Sequence, residues 1–509
     1  MQTNGFQKAG IIAFLILFAA LKWNALALPY FWDEAWSYIP AIATMAKGIP
    51  CLLPDCIDAE LYRGHPLFFY FLTSGWMKFV AVSPFSMHVF ALIISMLAVL
   101  SFYRLALLYL SPHWSLLGAA LLILQETFFV QSSFVLPEVL LMLLTIESIR
   151  NYLLQQKGLF LLSASLLCLT KETGIVIVSI IILFHLFRSK SVKKDLWWVC
   201  LPWLPAIIFF GLQKIALGWF FYPLHIDLTN ISRDIILTKF EIITKHLFLQ
   251  QGRMAILIVT GLLIIWQNII EHQRKYLFYI ISILIAMLFM VVTGNFASTI
   301  LYIVTLIATI WTTFHFSDSE KPLVRFSCVL VTVFLGFSVT NFLMIRYLLP
   351  VYPVLILLLL IILHKVVPVR PIYSVVLSFV LILIFGVSMI HNVNHKLWHD
   401  DASINYTNAV KVHQAAVGFC EENGWFEKKI FTHFLLHQDL THTELGYLKG
   451  KSFSQVHYEG DINAKDEILL FSCIELDESK YEGVKISPDY QLIRRFEEGN
   501  AWCEIYAKE

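Results

Sequence analysis

Asp33 and Glu34 stand side by side in Pro29-Tyr30-Phe31-Trp32-Asp33-Glu34-Ala35-Trp36-Ser37, immediately after the first long apolar segment. An acidic pair among aromatics at a membrane boundary points to chemistry at the bilayer surface, where a carboxylate is able to take a proton from a hydroxyl. Four cations, Arg63, Lys171, Arg253 and Arg346, fall on the same side of the membrane by the distribution of positive charge. A Lys or Arg near mid-membrane costs about 2.5–3.5 kcal/mol on insertion, so such cations need an anionic partner or a route to the headgroups. A lipid phosphate is one such partner; snorkelling of the side chain to the outer headgroups is the other reading.

The elements that must position these residues are membrane helices. Of 509 residues, 58% are hydrophobic and 14% charged, against about a quarter charged in soluble domains. Mean hydropathy is +0.72. Net charge is only +1 and there is no basic block with stacking aromatics, which excludes a nucleic-acid partner. Apolar runs of roughly 17 to 25 residues are long enough to cross a bilayer. Apolar runs occur near 9–30, 86–110, 114–131, 136–153, 158–170, 173–187, 196–217, 253–270, 276–293, 298–315, 326–343, 346–363 and 371–391, of which 158–170 and 173–187 are short and need help from their neighbours to cross. The expectation is an all-α polytopic membrane domain of about thirteen transmembrane helices over 1–394.

Lys and Arg in short loops mark the cytoplasmic side. Arg150 with Lys157, the run 188–194, Arg274-Lys275, Lys321 with Arg325, and Lys365 with Arg370 occupy alternate loops. Asp33-Glu34, the loop at 136–138, the segment 218–252 and the C-terminal region are then outside, and the N-terminus is cytoplasmic. The first segment, preceded by Lys8 and without a small-residue cleavage site, reads as a retained signal anchor.

Residues 35–83 read as external interfacial helices, with Trp36–Lys47 and Pro66–Val82 carrying apolar faces and Gly64-His65-Pro66 breaking the chain between them. Beyond 395 the composition turns polar, and residues 395–509 are expected to form a small extracytoplasmic α/β domain. Its elements are a helix near 404–422, strands at 429–432 and 467–472, and a hairpin over 490–506. Two roles suit it: covering the active site or recruiting an acceptor.

Cys51 and Cys56 fall in the external loop, where an oxidising compartment permits a bridge, and Cys420, Cys473 and Cys503 allow one more with a thiol left over. His433 and His437 share a helix face, but without a third ligand at clear spacing they read as surface histidines. No nucleotide phosphate loop is present, which argues against direct use of a nucleotide sugar.

The order of motifs resembles the GT-C glycosyltransferases that use polyprenyl phosphate sugars, particularly lipid A aminoarabinose transferases and protein O-mannosyltransferases. The similarity rests on the external Asp33-Glu34, His65-Pro66-Leu67-Phe68-Phe69-Tyr70-Phe71-Leu72, Leu136-Pro137-Glu138-Val139-Leu140-Leu141, Leu169-Thr170-Lys171-Glu172-Thr173-Gly174 and Arg346-Tyr347-Leu348-Leu349-Pro350-Val351-Tyr352-Pro353. It spans residues 10 to 390, and the C-terminal domain is its weakest part.

The resemblance implies Asp33 as catalytic base, with Glu34 holding the acceptor or donor sugar. The competing reading is that one of the two caps the following helix. Arg346, beside Tyr347, is expected to bind the donor phosphate, because guanidinium grips phosphate oxygens with two prongs and keeps its charge. Lys171 is the second candidate, unless it forms a structural pair with Glu172 or Glu138. Glu138 reads either as a sugar contact or as a first-turn acid, and Arg63 and His65 as lining the donor or acceptor entrance.

The expected activity is inverting transfer of a sugar from a polyprenyl phosphate carrier to a lipid, glycan or protein acceptor at the external face, in a bacterial inner membrane. No cofactor is required. A divalent ion bridging Asp33, Glu138 and phosphate is compatible with the same residues. The alternative is a transporter or flippase of lipid-linked sugars, but such proteins carry internal repeats and mid-membrane polar breaks. Here there is no repeat, and the notable charges gather at one face.

Overall fold

The computed structural model describes residues 5–188, 196–227, 229, 232–270, 317–318, 320–367, 371–395, 400–458, 462, 465–474 and 486–508. The expected spans near 276–293 and 298–315 lie outside the described residues. Among those described, Pro84–Ala106, Lys321–Thr340, Ile345–Val366 and Pro371–His391 are each long and apolar enough to cross a membrane, as befits an integral membrane protein. Ile345–Val366 runs through the centre, with 89% of it buried, whereas Pro371–His391 is only 17% buried and leaves its apolar face for lipid.

The remaining apolar helices are short: 158–170 is as short as expected, whereas 114–131 is cut back. Pro112–Ile123 and Lys157–Thr170 have 12 and 14 residues, about 20 Å at 1.5 Å per residue, against a hydrocarbon layer of about 30 Å. The expected single span 114–131 is broken: the chain is extended at Gln125 and resumes as Glu126–Gln131. The long segment 218–252 is helical in part. It contains Arg233–Phe248, which bends by 66° into Arg253–Leu263 as a broken span or a re-entrant loop. Arg253 explains the break. Its buried guanidinium donates to the carbonyls of His246 and Leu247 (2.6 Å to Leu247) and to Gln125, and it lies over the Tyr352 ring. This cation satisfies backbone oxygens freed at a helix end.

Proline and serine set the helix starts that matter for the site. Pro84 follows the capping Ser83, and Pro137 opens Pro137–Leu153, positions where the missing N–H is harmless. Lys157–Thr170 and Glu172–Arg188 part at Lys171, whose backbone is extended, as the sequence predicts. Gly174 makes the crossing possible. A Cβ there would lie 2.0 Å from the Leu167 carbonyl oxygen.

The C-terminal module is the expected α/β unit. Its sheet has the order β2-β1-β3-β5-β4, with β1 (Ile430–Phe431) parallel to β2 (Val456–His457) and β3 (Ile468–Ser472). The hairpin of β4 (Tyr490–Glu498) and β5 (Ala501–Lys508) joins antiparallel to β3. The helix Tyr406–Glu422 packs on the hairpin. Cys51 and Cys56 form a disulfide, whereas Cys420, Cys473 and Cys503 remain thiols.

The module is docked on the acidic turn. Tyr30 N–H donates to Leu445 O (3.0 Å), Phe434 meets the Trp32 and Trp36 rings edge-on at 6.4 and 5.0 Å, and Tyr406 contacts Phe31 and Phe134.

Candidate active site

Asp33 leaves a loop in which Trp32 takes a left-handed backbone (φ 56°), and the chain then winds into a π-helical turn, Glu34–Tyr38. Such wide turns recur at functional sites because they rotate side chains out of the ordinary helical register. Here the two acids part company. The Asp33 side chain keeps 19% of its surface exposed and pairs with Arg346, while Glu34 turns into the core at 2%.

Both Glu34 oxygens are occupied. One accepts from Val135 N–H (2.5 Å) and lies 3.4 Å from His88 Nε2; the other accepts from Phe31 N–H (3.2 Å). The carboxylate ties the acid-bearing loop to the loop before Pro137 rather than lining open space. Nor does Glu34 cap the next helix. It closes its own loop.

Arg346 lies in a 3-10 stretch, Ile345–Val351, ahead of the helix Tyr352–Val366. Pro350 and Pro353 lack N–H groups, so the regular i→i−4 ladder is held back. The guanidinium is 1% exposed and clasped by Asp33 and by Asp401, with Glu138 Oε1 at 3.8 Å from Nε. Glu138, in the first turn after Pro137, also accepts from Lys171 Nζ at 2.8 Å. That settles the partner of Lys171: it is Glu138, not Glu172. Tyr347 serves both cations as an aromatic platform, with Lys171 Nζ 4.0 Å and the Arg346 guanidinium 5.3 Å from its ring centre.

Five charged side chains thus share one cluster. Four of them were expected from the sequence. Asp401 was not, although a signal existed: Asp400-Asp401 is a second acidic pair just beyond a membrane helix, as Asp33-Glu34 is beyond the first. His88 and His225 were also missed.

Beside the cluster, His65 Nδ1 meets Glu172 Oε2 at 2.8 Å, and the His225 ring lies 4.9 Å from that of His65. Ligand atoms of His65, Glu172 and His225 come within 4.8 Å of one another, and burial, then His65, holds His225 down to about 4, so its imidazole is neutral and free to coordinate. These three have metal-binding geometry. His433 and His437 instead face Phe471 and Tyr458. Arg63, in a left-handed turn (φ 52°) before Gly64, stacks 3.8 Å over Trp36 at the rim.

No family profile matches this chain, and no curated protein matches it in sequence. In fold, the crystal structure of ArnT from Cupriavidus metallidurans bound to undecaprenyl phosphate aligns over 97% of this chain and 98% of that one, with a TM-score of 0.53 and 10% identity. The apo crystal structure of the same ArnT aligns over the same shares at 10% identity, with a TM-score of 0.41. The chain has the fold of this ArnT.

Proposed function

We propose that the protein is an inverting glycosyltransferase that moves a sugar from a polyprenyl phosphate to a lipid, glycan or protein acceptor at the external face of a bacterial inner membrane. The observation that carries this reading is the meeting of Asp33 and Arg346, 313 positions apart, in one ion pair. A carboxylate with some exposure beside a buried guanidinium is the pairing that base-assisted transfer from a phosphate ester requires.

In the proposed reaction Asp33 takes the proton of the acceptor hydroxyl as its oxygen attacks the anomeric carbon. The bond from that carbon to the phosphate oxygen breaks, and polyprenyl phosphate leaves with the electron pair. Arg346, with Lys171 beside it, balances the charge that develops on the phosphate. Arg346 holds Asp33 through Oδ2, and the acceptor's proton goes to the other carboxylate oxygen. Glu138 and Tyr347 hold the two cations in place, and Arg63 and His65 lie toward the entrance. The chemistry calls for no metal; if a divalent ion takes part, His65, Glu172 and His225 are the donors that would hold it.

Reconstituted protein offered a panel of polyprenyl phosphate sugars tests the reading. Asp33→Asn keeps the shape and removes the basicity, so turnover should fall by about 100-fold or more, the typical contribution of a general base, with the melting temperature unchanged. Equal turnover by the variant would remove Asp33 from the mechanism.

A further inference from the structure

The Arg346 cluster contains two cations, Arg346 and Lys171, and three carboxylates, Asp33, Glu138 and Asp401. It carries one negative charge in excess. A phosphate entering it meets like charge in a poorly solvated place, which disfavours binding unless one carboxylate yields its position.

The three acids are not equally free to yield. Glu138 sits in a helical first turn and is held by Lys171 at 2.8 Å. Asp33 stands at the head of the π-helical turn, anchored through Glu34. Asp401 lies in the non-helical linker 400–405 that precedes Tyr406, where the module's first helix begins. The linker is wedged against Glu126–Gln131 by two contacts: Gln131 Nε2 donates to the Asp401 carbonyl (2.6 Å), and Ile404 N–H donates to Glu126 Oε1 (3.4 Å). The Asp401 side chain is 1% exposed, yet it reaches the most buried cation of the cluster from a segment outside the membrane helices.

We infer that Asp401 is an internal stand-in for the donor phosphate: in the ligand-free protein its carboxylate holds the guanidinium position of Arg346 that the lipid phosphate takes over, and it returns when the phosphate leaves. The inference rests on Arg346 being the phosphate-binding cation. It also gives the C-terminal module a part in the cycle, because the linker moves as the carboxylate is displaced. Asp401 is a positioning residue here, since it acts on substrate through Arg346.

Equilibrium binding of labelled undecaprenyl phosphate to the full chain in lipid nanodiscs separates the outcomes. Asp401→Asn removes the competing charge and keeps the side-chain volume, so affinity should rise by about tenfold, the size of one charge-assisted hydrogen bond. The gain should vanish when Arg346→Ala is combined with it. A merely structural Asp401 would give equal or weaker binding on substitution, and either result overturns the inference. Gln131→Leu frees the linker carbonyl without touching the charge, and should give a smaller gain in the same direction; this second variant carries the test if Asp401→Asn does not fold. Binding by the wild type with no gain in either variant overturns the stand-in alone. Absence of binding by the wild type and every variant overturns the donor class and the stand-in together.

Discussion

Neighbouring acids of the same chemistry have different fates in this chain, and the contrast is measurable. Glu34 accepts two backbone N–H groups in a buried site, and hydrogen bonds to a charged group are each worth about 1.5–3 kcal/mol. Glu34→Gln places an amide NH₂ against one of those donors. It should lower stability by about 2–3 kcal/mol, seen as a fall in melting temperature that Asp33→Asn does not share; a Glu34→Gln protein as stable as wild type would show that the loop does not depend on this carboxylate. From the sequence the two acids were separable only by what the family resemblance implies, because what distinguishes them is the π-helical turn, which has no pattern in residue types. The partner of Lys171 was equally hidden. Glu138 and Glu172 are both acids near a break, and only the packing of Pro137–Leu153 on Lys157–Thr170 brings the first of them to 2.8 Å.

At the scale of elements, breaks were more legible than spans. The Thr-Lys-x-x-Gly break announces itself because Gly174 is the residue that lets the start of Glu172–Arg188 lie against Leu167, and the strands β1, β3, β4 and β5 fall where apolar stretches and the turn at Gly499 place them. Crossing number was less legible, because apolar composition reports burial and lipid contact alike: Pro112–Ile123 reads as a membrane span by residue type but stops at Gln125, which Arg253 engages from another helix. Gly174→Ala tests the one element contact the sequence does disclose. Its methyl would collide with backbone rather than with a side chain able to move, so the helices must shift apart, at a cost of about 1–3 kcal/mol by analogy with overpacked cores. Because Lys171 sits in that break, transfer activity should fall more than the melting temperature alone accounts for. A variant that loses stability but retains full turnover per folded molecule would separate the break from the site.

Across the whole molecule, the C-terminal module is tied to the membrane part at the acidic turn, through Phe434 on Trp32 and Trp36 and through the Asp401 linker. The helix that carries Phe434 also carries Asp439, which is fully buried against His413 at 2.7 Å. Burial pushes the Asp439 carboxyl up to about 6, against the pull of His413. In the unfolded chain an aspartate titrates near 4, so between about pH 4 and 6 the folded module binds more protons than the unfolded one. Stability from this group is therefore complete below about pH 4 and is lost as pH rises through about 6, with a span of up to about 3 kcal/mol. Raising the pH should loosen the module where it rests on the acidic turn. Asp439→Asn is uncharged throughout, so its melting temperature should change less between pH 4.5 and 7.5 than that of the wild type, and proteolysis of the module should lose its rise over the same interval. An unaltered pH dependence in the variant would place the titrating group elsewhere in the molecule.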